Sequence, residues 1–158
     1  MVKAIISGIA VVFLLVGCGP KPIYEDTYDF TDHFWGSGES PRFTFSGNDT
    51  SVFYNYVVTL RTTPEYEYSN LWVFMYTKNP DGKQRKDTLN FPLADPDGKW
   101  LGKKTGSIVE HEMLIGWQKK FPALGEYEIR FEQAVPDPEL KHVLDLSLRV
   151  IKAENTNK

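Results

Sequence analysis

The fold class the sequence predicts is all-β, two antiparallel sheets packed as a sandwich. Three observations predict it. From Thr27 onward, short stretches alternate apolar and polar residues, and turn residues break them at regular spacing. No stretch sustains an apolar repeat of 3.6 residues, so helix is a minor component. Aromatics make up 14% of the chain, and with abundant Val, Ile, Leu and Thr they favour strands. Eight or nine strands in about 125 residues suit either a jelly-roll or an immunoglobulin-like topology. The order of the strands is not written in the pattern.

Taken in order, residues 27–35 and 41–46 form two strands separated by Gly36-Ser37-Gly38. Residues 51–62 give a longer one, with Val52, Tyr54, Tyr56, Val58 and Leu60 on one face. In 67–78, Leu71, Val73 and Met75 oppose Trp72, Phe74 and Tyr76; a strand apolar on both faces is expected to be central and covered on each side. Pro80-Asp81-Gly82-Lys83 and Pro96-Asp97-Gly98-Lys99 read as hairpin tips, because Pro presets φ, Asp caps locally and Gly takes positive φ. A strand near 84–91 lies between them, and residues 100–106 read as a loop. Residues 107–115 alternate again, with Val109, His111, Met113 and Ile115 on one face. Residues 116–125 are expected to hold a short helical turn around Trp117 and Phe121, stopped by Pro122. In 126–133 the inward residues are Tyr127, Ile129 and Phe131. In 142–151 they are Leu144, Leu146, Leu148 and Val150, with Asp145, Ser147 and Arg149 outward.

Upstream, Lys3 precedes an uncharged apolar run over 4–16, and Gly17 is followed by Cys18, the single cysteine. This is the layout of a secretory signal peptide ending in a bacterial lipobox, whose cysteine is lipidated and becomes the mature N-terminus. A spanning helix needs about 20 apolar residues, and this run is shorter and punctuated by Ser7, Gly8 and Gly17. Each buried acyl methylene contributes about 0.8 kcal/mol, so two or more chains hold a protein at a bilayer. The expected organisation is therefore a signal peptide over 1–17, a lipidated tether over 18–26, the sandwich over 27–153 and a polar tail over 154–158. The expected location is the cell envelope, lipid-anchored to a membrane, with inner and outer membrane not distinguished.

Removing 1–17 leaves 141 residues, enough for one domain with a sizeable core. Of 18 basic residues only Lys3 is lost, leaving 17 against 21 acids and a charge of −4. A nucleic-acid partner would favour a basic stripe, so none is expected. With no second cysteine, stability rests on the apolar core rather than on a disulfide.

Residues that could carry chemistry do not assemble into a motif. His33, His111 and His142 fall on separate segments, and His111-Glu112 is followed at position 115 by Ile rather than His. Asp95-Pro96-Asp97-Gly98 begins like a calcium loop, but position 106 is Gly where a Glu ligand belongs. Glu110 and Glu112 share a face that reads as solvated. No nucleophile elbow or phosphate-binding glycine loop is present. No catalytic residue, cofactor or metal is expected. The working surface is expected to be a protein interface at Tyr66, Tyr68, Trp100, Lys103 and Lys104, because aromatic anchors beside charge mark interface centres. Among the tryptophans, Trp72 is expected in the core, and Trp100, between Gly98 and Gly102, is the best candidate for exposure, with burial under the neighbouring loop as the alternative. An alternative is a glycan platform built from Trp35, Trp72, Trp100 and Trp117 with Tyr66 and Tyr68; three or more coplanar exposed rings would favour it.

The series Leu60-Arg61, Tyr66-Glu67-Tyr68-Ser69-Asn70-Leu71, Leu93-Ala94-Asp95 and Gly98-Lys99-Trp100-Leu101-Gly102 resembles the GldH family, the gliding-motility lipoproteins of Bacteroidota. It continues through Phe121-Pro122-Ala123-Leu124-Gly125-Glu126-Tyr127, Glu132-Gln133-Ala134 and the run Val143 to Val150, and it begins with Cys18 and the segment Tyr24 to Trp35. Val135-Pro136 departs from the Met-Arg pair expected after Glu-Gln-Ala. The resemblance implies an accessory lipoprotein of the gliding apparatus, bound up in that phylum with type IX secretion, with partners among the machinery or envelope proteins. It implies no catalytic residues. Asp87-Thr88-Leu89 also resembles the acceptor for O-glycosylation in that phylum.

Overall fold

The computed structural model describes residues 21–154. The signal peptide, Cys18 and all of the polar tail after Glu154 lie outside the described residues. Strands run Tyr24–Asp29 (β1), Phe34–Gly36 (β2), Arg42–Gly47 (β3), Tyr54–Thr62 (β4), Asn70–Lys78 (β5), Gln84–Pro92 (β6), Lys103–Thr105 (β7), Ile108–Lys119 (β8), Gly125–Gln133 (β9), Glu139–Lys141 (β10) and Val143–Lys152 (β11). They form a five-stranded sheet in the order β1-β11-β4-β8-β7, a four-stranded sheet in the order β3-β9-β5-β6, and a ribbon of β10 and β2. Every pairing is antiparallel.

Setting aside the three-residue strands β2, β7 and β10, eight strands remain. Counted along the chain, the first pairs the eighth (β1 with β11), the second the seventh (β3 with β9), the third the sixth (β4 with β8) and the fourth the fifth (β5 with β6). One long ribbon has thus folded back on itself at the β5–β6 hairpin and rolled into two sheets. That is the jelly-roll arrangement, and it decides between the two topologies the sequence allows.

The hairpin tip at the fold of the ribbon is built as its residues require. Gly82 takes φ +82°, Asn79 and Lys83 close the turn at 2.9 Å, and Asp81 Oδ1 accepts the Lys83 amide at 3.0 Å. The second Pro-Asp-Gly-Lys segment is also a turn, but it closes a loop rather than joining two strands. There Asp95 Oδ1 accepts from the amides of Asp97 and Lys99, so this carboxylate serves the turn.

Inward faces meet in one core. Phe43, Phe131, Leu71, Val73, Leu60, Leu146 and Leu148 are buried across the two sheets, and Trp35 is buried with its ring stacked on Phe30 at 4.9 Å. The alternation expected for β9 holds residue by residue on the inward side, whereas in β4 Tyr54, Val58 and Leu60 are buried with Tyr56 half-buried, and in β8 Val109 and His111 are buried with Met113 and Ile115 half-buried.

Six expectations change. The strand expected over 27–35 is two strands, β1 and β2, separated by a 3-10 turn in which Asp32 and His33 take positive φ of 52° and 60°. β1 begins at Tyr24, ahead of the alternation that suggested a start at 27. β5 is central in its sheet but covered on one face only, because the domain has two layers; Trp72 is therefore 43% exposed rather than core. No helical turn occupies 116–125, since β8 runs on to Lys119 through a bulge at which Asn55 Oδ1 accepts the Gln118 amide at 2.9 Å. Gly116 serves close approach there: a Cβ on it would lie 3.0 Å from the Tyr56 ring. Finally, Asp145 sits on the outward side as expected but is buried, because Arg61 lies across it with Nε 2.9 Å and 2.8 Å from its two oxygens. A further short strand, β7, occupies part of the expected loop over 100–106.

Candidate functional site

The residues singled out from sequence collect at one end of the sandwich, where β4 leads into β5 and β6 leads towards β7. Ser69 O accepts from the amides of Leu93 and Ala94 at 2.8 and 2.9 Å, which seats the loop before β5 on the loop after β6. Ala94 bridges to Trp100, and the chain then enters β7. Lys104 is near enough to Glu65 to help lower its carboxyl, after the larger contribution of the Thr63 hydroxyl.

Their exposure differs. Tyr66 is buried, contrary to an interface role, and its ring packs at 5.8 Å edge-on to Tyr68. Burial also pushes the Tyr66 phenol well above its ordinary pKa. Tyr68 is 40% exposed and donates to Asp137 Oδ2 at 3.2 Å, a bond that raises the Tyr68 pKa. Trp100 is half-buried rather than open, because it packs edge-on to buried His111 at 5.8 Å. Lys103 and Lys104 are fully on the surface of the edge strand β7, facing Glu110 and Val109 in register. Tyr68 with Glu67, Asp137, Glu139 and Lys141 forms a shallow cleft of about 70 Å³. The accessible surface of the site is thus Tyr68, the two lysines and a surrounding set of carboxylates.

The tryptophans do not form one platform. Trp35 is buried, Trp100 is half-buried at the loop end, Trp72 faces out from β5 in one sheet, and Trp117, 62% exposed, projects from β8 in the other. Along β5 the outward residues are Trp72, Phe74 and Tyr76, a row that alternation made visible in sequence. However, Lys86 Nζ sits over the Phe74 ring at 3.6 Å and the Arg130 guanidinium over Tyr76 at 4.0 Å. Two of the three faces are occupied, which falls short of three open rings.

The histidines lie apart. His33 is exposed in the turn between β1 and β2, His142 meets Thr63 Oγ1 at 3.2 Å before β11, and His111 is buried in β8. Thr88 is exposed on β6. A larger concavity has no local motif in the sequence. It opens between the sheets at the other end, with a volume of about 520 Å³, and draws on six strands. The nearest sequence signal for it is the pair Lys119-Lys120 beside Phe121.

The model of the family described as GldH lipoprotein matches residues 22–150. The chain belongs to that family. The GldH match spans the whole described sandwich from before β1 to within β11. Over 151 residues, this GldH family member is 29% identical to a protein named gliding motility lipoprotein GldH homolog from Christiangramia forsetii, covering 91% of this chain and 92% of that one. Over 122 residues it is 30% identical to the gliding motility lipoprotein GldH of Flavobacterium johnsoniae, covering 77% and 75%. Among solved structures, a non-crystalline cellulose specific carbohydrate-binding module aligns with TM-score 0.41 at 9% identity, covering 80% of this chain and 70% of that one. An exo-β-1,3-galactanase from Phanerochaete chrysosporium aligns with TM-score 0.35 at 12% identity, covering 80% and 29%. Scores at this level carry no argument about what the GldH chain binds.

Proposed function

We propose that this protein is a membrane-anchored, non-catalytic lipoprotein of the gliding machinery, associated with type IX secretion, that acts by contact with other envelope proteins. The observation that carries this reading is the family match across residues 22–150. Lipid on Cys18 holds the chain at a membrane of the cell envelope, and residues up to Tyr24 link that lipid to the sandwich. The contact surface is the loop end, with Tyr68 as aromatic anchor and Lys103 and Lys104 as the charged margin. An aromatic hydroxyl beside mixed charge suits a protein partner more than an apolar one.

Replacing Cys18 removes the acyl acceptor. Cys18→Ser is expected to move the protein from the membrane to the soluble fraction and to reproduce the spreading defect of a full deletion on agar. A variant that still sediments with membranes would overturn the anchor. A deletion strain that spreads normally would overturn the gliding assignment.

A further inference from the structure

The jelly roll is open along one side. β7 pairs only with Ile108 to Glu110 of β8, so from His111 to Lys119 the outer edge of β8 has no neighbouring strand among the described residues. The cleft of about 520 Å³ opens there, between the second half of β8 and the start of β6. This volume lies within the range of small-molecule sites, roughly 300–1,000 Å³.

Its chemistry is divided in two. The deep walls are apolar: Met75, Ile115, Ile129 and Phe45, closed behind by the rings of Phe121 and Tyr127, which lie 4.9 Å apart. The mouth carries Lys83, Arg85, Lys119 and Lys120, and no carboxylate lines the cleft. Lys83 and Arg85 are already paired, with Asp81 at 2.9 Å and Asp87 at 2.7 Å. Lys119 and Lys120 take part in no ion pair among the described residues; Lys120 lies over the Phe53 ring at 4.6 Å. Two uncompensated cations above a greasy slot match a ligand with one anionic end and one apolar end.

We propose that this cleft binds a single amphiphile, its hydrocarbon tail between Met75 and Ile115 and its anionic head on Lys119 and Lys120. The binding itself rests on the cleft and stands apart from the gliding assignment; only the choice of a lipid source rests on the proposed Cys18 anchor. Location supports a lipid source. Tyr24, where β1 starts, packs its ring 5.2 Å from Phe45 in the cleft wall. The six residues from Cys18 to Tyr24 span at most about 20 Å, so an anchored chain holds the cleft close to a bilayer. The same head chemistry is carried by free fatty acids, and the test separates the two.

Every buried apolar side chain among the described residues lies from Phe30 to Val150, so a chain starting at Gly19 keeps the whole core and lacks any acyl group of its own. Such a chain is titrated with 11-(dansylamino)undecanoic acid, and the reporter is displaced with dodecyl phosphate below its critical micelle concentration or with dodecanol below its solubility limit. Saturable one-to-one binding is expected, with dodecyl phosphate displacing at least about tenfold more strongly than dodecanol, a difference set by the head alone. Reversing the rim with Lys119→Glu and Lys120→Glu abolishes that preference and leaves dodecanol unchanged. Ile115→Trp fills the slot and removes both. Should Ile115→Trp misfold, the methyl resonances of Met75, Ile115 and Ile129 report in its place by shifting with dodecyl phosphate. Stronger displacement by lysophosphatidylglycerol than by palmitate assigns a membrane phospholipid; the reverse assigns a free fatty acid. Absence of saturable binding, or binding indifferent to the rim reversal, overturns the proposal.

Discussion

Buried His111 has both ring nitrogens without a hydrogen-bond partner. Trp100 packs against its edge, and Gly102 comes so close that a Cβ there would lie 2.6 Å from Nδ1. Burial lowers its pKa below the ordinary 6.5. As pH falls below that value, an unfolded chain takes up a proton that the folded protein still refuses. Stability is therefore complete above about pH 6.5 and declines as pH drops towards the lower folded pKa. Thermal melts between about pH 7.5 and pH 5 are expected to show this decline, and His111→Leu should flatten it, since an apolar side chain of similar size leaves no unpaired polar atom. Equal slopes in the two proteins would assign the decline elsewhere. The Arg61–Asp145 pair makes an asymmetric prediction. Asp145 is 4% exposed in its side chain and Arg61 39%. Arg61→Met strands a buried carboxylate and is expected to cost about 2–4 kcal/mol, whereas Asp145→Asn frees a guanidinium that turns to water and costs about 1 kcal/mol. Urea denaturation measures both, and a larger loss in Asp145→Asn would contradict this account.

Among the elements, β7 is three residues long, exposed throughout, and lies at the edge of the five-stranded sheet. Lysines on such an edge discourage pairing with a second chain. Replacing Lys103 with Val and Lys104 with Ile is expected to leave the fold intact and to make the protein self-associate, seen as concentration-dependent light scattering. Strict monomers at all concentrations would give these lysines another purpose. The same scale shows what alternation can and cannot reveal. β9 was legible because Tyr127, Ile129 and Phe131 face one way and four charged residues the other. The break between β1 and β2 was not, because Asp32 and His33 adopt positive φ without being glycine. The run of β8 past Gly116 was hidden as well, since the glycine that suggested a turn lies against Tyr56 in a bulge. Trp72 misled for a simpler reason: apolar residues on both sides of β5 imitate a strand covered twice, while Lys86 and Arg130 cover that outer face from neighbouring strands.

For the molecule as a whole, the class and the eight long strands could be read from the chain, but the three short strands and the wiring could not. Pairing of the first with the eighth strand joins residues more than a hundred positions apart, such as Tyr24 with Val150, and pairing of the second with the seventh joins Arg42 with Arg130. The site divides along the same line. Tyr68, Lys103 and Lys104 were visible as local groupings, and the structure gathers them at one end. The cleft was invisible because its walls come from residues scattered between Phe45 and Ile129. Burial of Tyr66 followed from the loop folding back over the core, which no local pattern encodes. β1 enters beside the cleft, and the Tyr68 loop closes the far end of β4. The nine residues of β4 separate these ends by about 30 Å. The body of the domain is therefore a spacer as well as a scaffold: it holds Tyr68 about 30 Å along β4 from the end at which the first strand enters. What docks at Tyr68 and what enters the cleft would therefore meet opposite ends of the domain and need not compete.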